Sequence, residues 1–283
     1  MIKNHAMTDG SGVAVAPDFL YGTAWKEERT QALVELAVQQ GFRGFDTANQ
    51  RRHYFEEGVG LALVAAYRTG TVVRQDIFLQ TKYTYRNGQD HRLPYDPEAS
   101  PSSQVAQSMA SSLKHLKTDY VDSYVLHGPA FDAGWADVDA EVWAAMGDER
   151  DAGRTRYLGV SNVSLTHLEQ MVGSGAELPA FVQNRCYAST GWDRQVRAFC
   201  RDRKIIYQGF SLLTANSGVL THPWTRDLAK RLGATPEQVV FQFSRAVGML
   251  PLTGTTNAAH MTEDLGSLVL DAQAIEAIES LTG

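Results

Sequence analysis

Several features that mark particular protein classes are missing from this 283-residue sequence. It has only two cysteines, Cys186 and Cys200, which make neither a disulfide framework nor a zinc site. No run approaches the ~18 apolar residues of a membrane span, and the residues before Asp18 lack the apolar core of a secretory signal. The net charge of −6 shows no basic excess. We therefore expect a cytoplasmic protein with no metal site that binds neither nucleic acid nor membrane.

Short apolar runs alternate with longer amphipathic segments from Phe19 onward, which is typical of βα units that build a parallel sheet. No linker or change of composition divides the chain, and eight such units match the usual barrel size of about 250 residues. We predict an α/β fold with a single (β/α)8 TIM barrel over residues 18–283. An N-terminal tail, residues 1–17, precedes it and includes a candidate capping strand, Val13–Pro17. The predicted strands are Phe19–Gly22, Phe42–Phe45, Ile77–Thr81, Tyr120–Leu126, Tyr157–Val160, Phe181–Gln183, Ile205–Gln208 and Met249–Leu252.

The structural alternative is an open, doubly wound sheet. Such folds commonly carry a Gly-x-Gly-x-x-Gly turn after the first strand. Here Gly10-Ser-Gly12 precedes the first strand and lacks the third glycine, so the barrel is favoured. Helix signals agree with the βα pattern, because Thr30–Gln40 is followed by Gly41 and Thr235-Pro236-Glu237 reads as a helix start.

Polar residues end three of the early strands. Asp46 ends the second strand, Lys82 the third and His127 the fourth, and Tyr54 opens the helix after the second strand. In a barrel these strand ends face one pocket, so we expect the four side chains to converge. Any one of them alone is more often a structural or solvated group than a catalyst.

Together, the four residue types suit protonation of a carbonyl oxygen while hydride arrives at carbon. A tyrosine has a pKa near 10, and a nearby lysine ammonium favours its phenolate and makes the phenol a better acid. Asp46 keeps Lys82 charged, and His127 orients the carbonyl oxygen. An unrelated barrel chemistry, such as an isomerase that uses Lys82 as a base or Schiff-base former, is the less favoured interpretation.

The second half of the sequence carries a pattern that suits a dinucleotide cofactor. Ser161 and Asn162 follow the fifth strand and could hydrogen-bond a carboxamide, and Gln183 ends the sixth strand similarly. An aromatic ring and a loop suited to pyrophosphate follow the seventh strand. Gly254-Thr255-Thr256 follows the eighth strand and leads into a short helix, a natural anion site. The residues after the seventh strand are Phe210, Ser211 and Leu213.

These segments together resemble the aldo-keto reductase family, in family order from about residue 19 to residue 281. The resemblance implies a barrel, a nicotinamide cofactor across its top and carbonyl reduction. It makes Tyr54 the acid, supported by Asp46, Lys82 and His127. The matching pieces are Gly22-Thr23, Gly44-Phe-Asp-Thr-Ala48, Tyr54 with Glu57-Gly-Val-Gly60, Thr81-Lys82, Asp122-Ser-Tyr-Val-Leu-His127, Gly159-Val-Ser-Asn162, Gln183-Asn184, Phe210-Ser211 and Gly254-Thr255.

The resemblance also assigns binding residues. Phe210 stacks on the nicotinamide ring, whose carboxamide end is held by Thr23, Asp46, Ser161, Asn162 and Gln183. The remaining cofactor contacts are Gly22, Ser211, Leu213, Gly254, Thr255, Thr256, His260 and Asp264. The substrate pocket contains Trp25, Tyr54, His127 and Trp135, and the segments Tyr83–Pro101 and Ala130–Trp135 shape it.

Three departures from the family pattern matter. The usual position of the tyrosine, five residues after the aspartate, holds Arg51, so we infer a loop insertion that moves the tyrosine to position 54. Gly254 and His260 stand where many members have a lysine and an arginine for the 2′-phosphate, so NADPH is favoured but NADH stays open. The chain stops at Gly283, without the long C-terminal loop of other members, which predicts an open pocket and broad substrate tolerance.

We therefore expect an NAD(P)H-dependent reductase of aldehydes or ketones, acting on a small-molecule carbonyl substrate as a monomer or dimer. The alternative from another class is a cofactor-binding sensor or regulatory barrel with little turnover. That alternative requires the Arg51-Arg52 insertion to misplace Tyr54.

Overall fold

The fold of the chain is described by a computed structural model covering residues 14–282. Eight parallel strands close into a barrel in sequence order, and each alternates with helical structure, which confirms the predicted (β/α)8 TIM barrel. The strands are β1 (Leu20–Gly22), β2 (Gly44–Asp46), β3 (Phe78–Tyr83), β4 (Val121–Leu126), β5 (Thr155–Ser161), β6 (Phe181–Arg185), β7 (Ile206–Phe210) and β8 (Met249–Thr253).

Eleven α-helices surround the barrel in the described part of the chain. They are α1 (Thr30–Gln40), α2 (Glu56–Arg68), α3 (Pro101–Leu116), α4 (Asp137–Asp151), α5 (Leu165–Gly173), α6 (Arg194–Asp202), α7 (Ser217–Thr221), α8 (Pro223–Leu232), α9 (Pro236–Ala246), α10 (Ala258–Asp264) and α11 (Ala272–Ser280). None of the helices within residues 14–282 combines the length and apolarity needed to cross a membrane.

Local signals end the helices where the sequence predicts. Gly41 adopts the left-handed conformation, with φ of 107°, and closes α1. Thr235 caps α9, because its hydroxyl accepts from the Gln238 amide and the Gln238 side chain accepts from the Thr235 amide. One helix comes closer to its neighbour than a side chain allows: a Cβ on Gly60 of α2 would lie 2.2 Å from the His115 carbonyl oxygen in α3.

Three strands extend two residues beyond their predicted ends, and this extension positions the site. β3 continues to Tyr83, β6 to Arg185 and β7 to Phe210. The polar residues there do not end the sheet, because their backbones keep pairing with the neighbouring strands. Arg185 and Phe210, for example, are partners in the β6–β7 register.

The opposite end of the barrel is closed by a small apolar cluster. Its buried members are covered by Ala14 and Ala16, and the Val15 amide donates to the Tyr157 hydroxyl at 3.1 Å. Of the predicted capping strand, Val13 lies outside the described residues, and only Ala14 forms a bridge, so residues 15–17 cover the barrel without forming a strand. The cluster consists of Leu20, Phe78, Tyr157, Phe181 and Leu250.

Candidate active site

A buried ion pair lies at the centre of the barrel mouth. Asp46 at the end of β2 is 3% exposed and Lys82 on β3 is 1% exposed. The Lys82 Nζ donates to both carboxylate oxygens of Asp46 at 2.7 Å and to the Thr47 carbonyl at 2.9 Å, so each of its three hydrogens has an acceptor. Burial lowers the pKa of Lys82, and the Asp46 carboxylate opposes this effect. The pair is thus compact, desolvated and neutral overall.

Three glutamines form an amide ring beneath this pair. The side-chain nitrogens of Gln80 and Gln183 donate to the Asp46 Oδ1 at 2.7 and 3.0 Å, and each also donates to the Gln208 Oε1 at 2.9 Å. Gln208 returns a hydrogen bond to Gln80 at 3.0 Å. The sequence analysis missed Gln80 and Gln208. Their spacing could have predicted them, because side chains two residues apart on a strand point to the same side. Gln80 lies two residues before Lys82 on β3, and Gln208 lies two residues before Phe210 on β7.

Tyr54 lies beside the ion pair, as the sequence predicts. The Lys82 Nζ is 5.1 Å from the centroid of the Tyr54 ring, and the His127 ring is 5.9 Å away in an edge-on arrangement. The inserted residues are absorbed by a turn in which the amides of His53 and Tyr54 both donate to the Gln50 carbonyl. The four predicted residues therefore converge, although Tyr54 lies in the loop two residues before α2 rather than opening that helix.

The expected acidity of Tyr54 is corrected by this arrangement. We predicted that the lysine would lower the pKa of the phenol, but burial raises that pKa and the Asp46 carboxylate raises it further. The main cause is desolvation of the phenol; in addition, the Lys82 ammonium is held 2.7 Å from both oxygens of Asp46, which reduces its attraction for a phenolate. Tyr54 therefore keeps its proton at neutral pH, which suits a donor and not a resident phenolate.

The ring of His127 is neutral and has one hydrogen-bond partner among the described residues. Burial lowers its pKa to about 3, helped by the nearby charge of Lys82 and by His53. Its Nδ1 lies 2.7 Å from the Thr84 hydroxyl, which has no other partner among the described residues. If Nδ1 carried the hydrogen, the buried Thr84 hydroxyl would have no acceptor for its own hydrogen, which is costly. We infer that Thr84 donates to Nδ1, so that Nε2 carries the hydrogen.

Thr84 is a third site residue, after Gln80 and Gln208, that the sequence did not predict. It lies two residues after Lys82, immediately beyond β3, and is buried. The same spacing of two that puts Lys82 in the mouth also puts Thr84 there, and this spacing was the available signal.

Two aromatic rings stack at the open side of the site. Trp25 is 72% exposed, and its ring centroid lies 3.9 Å from that of His53. The Trp25 amide also donates to the His53 carbonyl at 2.7 Å. Partial burial and Arg52 lower the pKa of His53. The predicted pocket residue Trp25 is therefore at the mouth, together with His53, to which the sequence analysis gave no role.

Trp135 is placed beside α4 and α5, and its role in the substrate pocket stays a prediction. Its ring packs edge-on against Trp143 of α4, with centroids 6.3 Å apart, and its amide donates to Gln170 of α5. These two contacts tie the loop after β4 to α4 and α5 at Trp135. A separate cleft of about 280 Å³ between the β3 and β4 loops is lined by Tyr83, Tyr85, Arg86, Asn87, Pro101, Gln104, Ala130 and Val138.

The predicted carboxamide-binding groups lie at adjoining strand ends. Ser161 Oγ donates to the Gln183 carbonyl at 2.7 Å, and Asn162 Nδ2 donates to the His127 carbonyl at 2.7 Å and to Ser161 Oγ at 3.2 Å. The donors of Asn162 and Gln183 are thereby occupied, which leaves their side-chain oxygens as acceptors. Thr23 is buried and donates to the Asp46 carbonyl at 2.9 Å, so its hydroxyl hydrogen is already used.

The ring of Phe210 at the end of β7 is half-buried, and the guanidinium carbon of Arg185 lies 5.6 Å from its centroid. Ser211 follows in the left-handed conformation, with φ of 55°, and opens the turn that contains Leu213. Asn216 holds this turn, because it accepts from the Ala188 amide and donates to the carbonyls of Cys186 and Leu212. The sequence analysis missed Arg185 and Asn216.

The remaining predicted cofactor residues differ in whether a ligand can reach them. Gly254, Thr256 and His260 are exposed and Thr255 is half-buried, so all four can be reached by a ligand. Asp264 is buried instead, with its Oδ2 unpaired in the described part of the chain. Gly22 serves strand packing, because a Cβ there would lie 2.5 Å from the Leu252 side chain.

No group of three or more His, Cys, Asp or Glu within residues 14–282 is arranged to hold a metal ion. Both cysteines are buried, and burial raises the pKa of each thiol to about 12. Residues 14–282 therefore hold the thiols in their protonated, unreactive form.

Comparison with known proteins identifies relatives along almost the whole chain. The model of the aldo/keto reductase family matches residues 19–282. Methylglyoxal reductase DkgA of Escherichia coli O157:H7 is 27% identical over 262 residues, covering 91% of this chain and 86% of that protein. Aldehyde reductase YPR1 of Saccharomyces cerevisiae is 26% identical over 275 residues, covering 88% and 81%. A Bombyx mori aldo-keto reductase solved with NADP shares the fold, with a TM-score of 0.78 at 24% identity over 95% of this chain and 90% of that one.

The family match contains all eight strands and every residue of the converging set. It agrees with the resemblance that the sequence motifs indicate and with the barrel geometry. The chain therefore belongs to the aldo/keto reductase family, whose members are oxidoreductases that reduce carbonyl groups with a nicotinamide cofactor.

Proposed function

We propose that Tyr54 is the proton donor with which this protein reduces aldehydes or ketones to alcohols. The observation that carries the proposal is the position of Tyr54, next to both the buried Asp46–Lys82 pair and the neutral His127 ring. A donor must be protonated when the substrate binds, and burial raises the pKa of Tyr54 so that it is.

His127 orients the substrate in this proposal. Its pKa is lowered to about 3, so it cannot be the acid near neutral pH. With Thr84 bonded to Nδ1, the Nε2–H is a neutral donor for the carbonyl oxygen. Tyr54 and His127 thus share one acceptor, and the proton moves from the Tyr54 hydroxyl to that oxygen as the carbonyl carbon is reduced.

Lys82 and Asp46 support the tyrosine. Once Tyr54 has given up its proton, its phenolate lies beside the Lys82 ammonium, whose attraction partly offsets the opposing effects of burial and of the Asp46 carboxylate. Asp46 holds this ammonium in place with two 2.7 Å hydrogen bonds, and the amide ring below holds Asp46. The Lys82 ammonium is thereby held next to the negative charge that develops on Tyr54 during the reaction.

The side chains at the mouth fit a nicotinamide cofactor, which supplies the hydride when bound. A carboxamide has two N–H donors, and the free side-chain oxygens of Asn162 and Gln183 match them. Ser161 Oγ lies beside both residues and can also accept. Phe210 offers a ring face for stacking. The loops after β7 and β8, residues 211–213 and 254–256, would hold the phosphates.

The test is Tyr54→Phe, with turnover of an activated aromatic aldehyde followed by NADPH oxidation. We expect turnover to fall by at least a hundredfold, the usual contribution of a general acid, while NADPH affinity by fluorescence stays within a factor of three. Undiminished turnover would show that another group is the acid. Loss of NADPH binding would instead show that Tyr54 is needed for the cofactor.

A sensor or regulatory barrel with little turnover is the second candidate function. It requires the inserted Arg51-Arg52 loop to displace Tyr54. The loop instead closes as a turn on the Gln50 carbonyl, with Arg51 3.9 Å from Glu28 and stacked over Phe55 at 4.5 Å. These contacts support the enzyme, and the Tyr54→Phe comparison separates the two functions because a sensor has no turnover to lose.

The substrate class and cofactor preference follow from the same site. Relatives are named methylglyoxal reductase and aldehyde reductase, and the Trp25–His53 stack is an exposed wall, so we propose small aldehydes and ketones as substrates. We propose NADPH as the cofactor, with NADH as the alternative. A cytoplasmic location and a monomeric or dimeric state are proposed from the sequence.

A further inference from the structure

The inserted turn between β2 and α2 carries two arginines whose surroundings differ. Arg51 lies 3.9 Å from the Glu28 carboxylate, and its guanidinium carbon is 4.5 Å from the centroid of the Phe55 ring. Arg52 is exposed, and no carboxylate within residues 14–282 is at ion-pair distance from it. Arg51 therefore contributes to the packing of the turn, whereas the charge of Arg52 is left uncompensated by the described part of the chain.

The charge of Arg52 acts on the neighbouring ring of His53. Burial lowers the pKa of His53, the Arg52 charge lowers it further, and the Asp90 carboxylate opposes the change. A charge on His53 in turn helps to lower the pKa of His127. Such effects weaken with distance. Arg52 therefore lies near His53, and His53 lies near the ring that orients the substrate.

A surface of two stacked rings lies on the same side of the mouth. The ring centroids of Trp25 and His53 are 3.9 Å apart, and Trp25 is largely exposed. The Trp25 amide donates to the His53 carbonyl, which fixes the inserted turn against the loop after β1. The apolar body of a substrate can pack on these rings while its carbonyl oxygen reaches the reacting groups, and its far end then lies towards Arg52.

The other charges of this rim leave Arg52 as the group that can receive an anion. Asp90 is paired with Arg92, which also donates to the Arg51 carbonyl at 3.2 Å. The lowered pKa of His53 keeps its ring neutral near neutral pH, whereas a guanidinium stays charged. The chain as a whole carries a net charge of −6, which repels anions. A local cation at the mouth is therefore an exception that favours a negatively charged ligand there.

We propose that Arg52 is a specificity-determining residue that binds the carboxylate of carbonyl substrates carrying one. The substrate class is that of aldehydes and ketones in which a ring or a short chain separates the carbonyl group from a carboxylate. A guanidinium suits this task, because its planar fork matches the two oxygens of a carboxylate. The inference rests on the proposed function, because it requires the substrate's carbonyl oxygen to lie at Tyr54 and His127.

The test compares 4-carboxybenzaldehyde with its methyl ester, which keeps the ring and the aldehyde but has no charge. The quantity measured near neutral pH is the ratio of the two kcat/KM values, acid over ester, for the wild type and for Arg52→Gln. We expect this ratio to fall about threefold to tenfold in Arg52→Gln, because a partly solvated ion pair contributes modestly. The loss should lie in the KM of the acid, with kcat/KM of the ester changed by less than about twofold. An unchanged ratio would overturn the inference and make Arg52 a solvated residue of the turn.

Controls separate this one charge from the charge of the loop. Arg51→Gln removes the adjacent cation, which contacts Glu28 and Phe55, and should leave the ratio at its wild-type value even if both substrates are turned over more slowly. Arg52→Lys should recover part of the ratio, and added salt should lower the ratio more in the wild type than in Arg52→Gln. Equal falls in Arg51→Gln and Arg52→Gln would contradict a specific role for Arg52. A wild type that reduces neither aldehyde would overturn the proposed function itself, whereas reduction of both with a ratio indifferent to Arg52 overturns only this inference.

Discussion

Asp264 should make the folded protein less stable as pH rises, and Asp264→Asn should remove that dependence. The carboxyl is buried at the end of α10, its Oδ2 has no partner among the described residues, and Glu263 and Glu237 add negative charge. Burial raises the pKa of Asp264 from its ordinary 3.8 to about 6, although the Thr253 side chain and His260 oppose the change.

The direction and the size of this change in stability with pH follow from the linkage between protonation and folding. The folded state holds this proton more tightly than the unfolded state, so the stabilisation is complete below pH 3.8 and is lost as pH rises through about 6. At about 1.4 kcal/mol per pH unit, the displacement corresponds to about 3 kcal/mol, most of it lost between about pH 4 and about pH 7. The asparagine cannot ionise, so its stability should lack this decline, whatever its absolute value.

The assay is urea unfolding of both proteins at several pH values across that interval. The difference in unfolding free energy, variant minus wild type, should rise by about 2–3 kcal/mol from the acidic to the neutral end. Asp227→Asn, which removes an exposed carboxyl of α8, is the matched control for a general loss of charge. Parallel curves for wild type and Asp264→Asn would refute the reasoning, because they would mean that the carboxyl is no harder to ionise in the fold than outside it.

Two further substitutions test contacts in the site and in the helical layer. Thr84→Val deletes the hydroxyl that fixes His127, so kcat/KM for an aldehyde should fall about fivefold to tenfold, Thr84→Ser should restore it, and the His127 ring-nitrogen NMR shifts should report a changed tautomer. An unchanged tautomer in Thr84→Val would contradict the assignment of Nε2–H. Gly60→Ala should destabilise the fold by more than about 2 kcal/mol in urea unfolding, because its Cβ would lie 2.2 Å from a backbone oxygen. Gly147→Ala on α4 meets nothing within 4 Å and should instead stabilise by about 0.5–1 kcal/mol, so equal effects of the two changes would show that helix propensity alone decides.

The barrel could be predicted because its determinants are local. Buried parallel strands read as short apolar runs, and glycine or a threonine–proline pair marks the helix ends at Gly41 and Thr235. The predicted strands end too early at β3, β6 and β7, because polar residues such as Arg185 look like loop residues until their backbone pairing is known. Strand pairing, not residue polarity, decides where those strands end.

The site was predictable in its residues but not in its electrostatics. Asp46, Lys82, Tyr54 and His127 converge because strand order puts them in one mouth, and that order is visible in the sequence. The direction of the Tyr54 pKa shift was predicted wrongly, because pairwise reasoning left out the desolvation of the phenol and gave the lysine a charge that the aspartate largely compensates. A pKa depends on the whole environment of a group.

Residues that meet only through the folded loops escaped sequence reasoning. Thr84 and His53 have no motif of their own, and each acquires its partner from a different strand or loop. Trp135 likewise packs against α4 and is hydrogen-bonded to α5, and its position in the sequence indicates neither contact. Such placements depend on loop paths, which side-chain identity alone does not specify.

The amide ring of Gln80, Gln183 and Gln208 has a consequence for how this barrel can change. Amide groups gain or lose no protons in water's ordinary range, so the platform keeps one pattern of donors and acceptors whatever the acidity of the medium. The loops above it carry the residues that differ from the family pattern, such as Arg51 and Gly254. New substrates can therefore be accommodated by altering the rim, while the support under the reacting groups stays as it is.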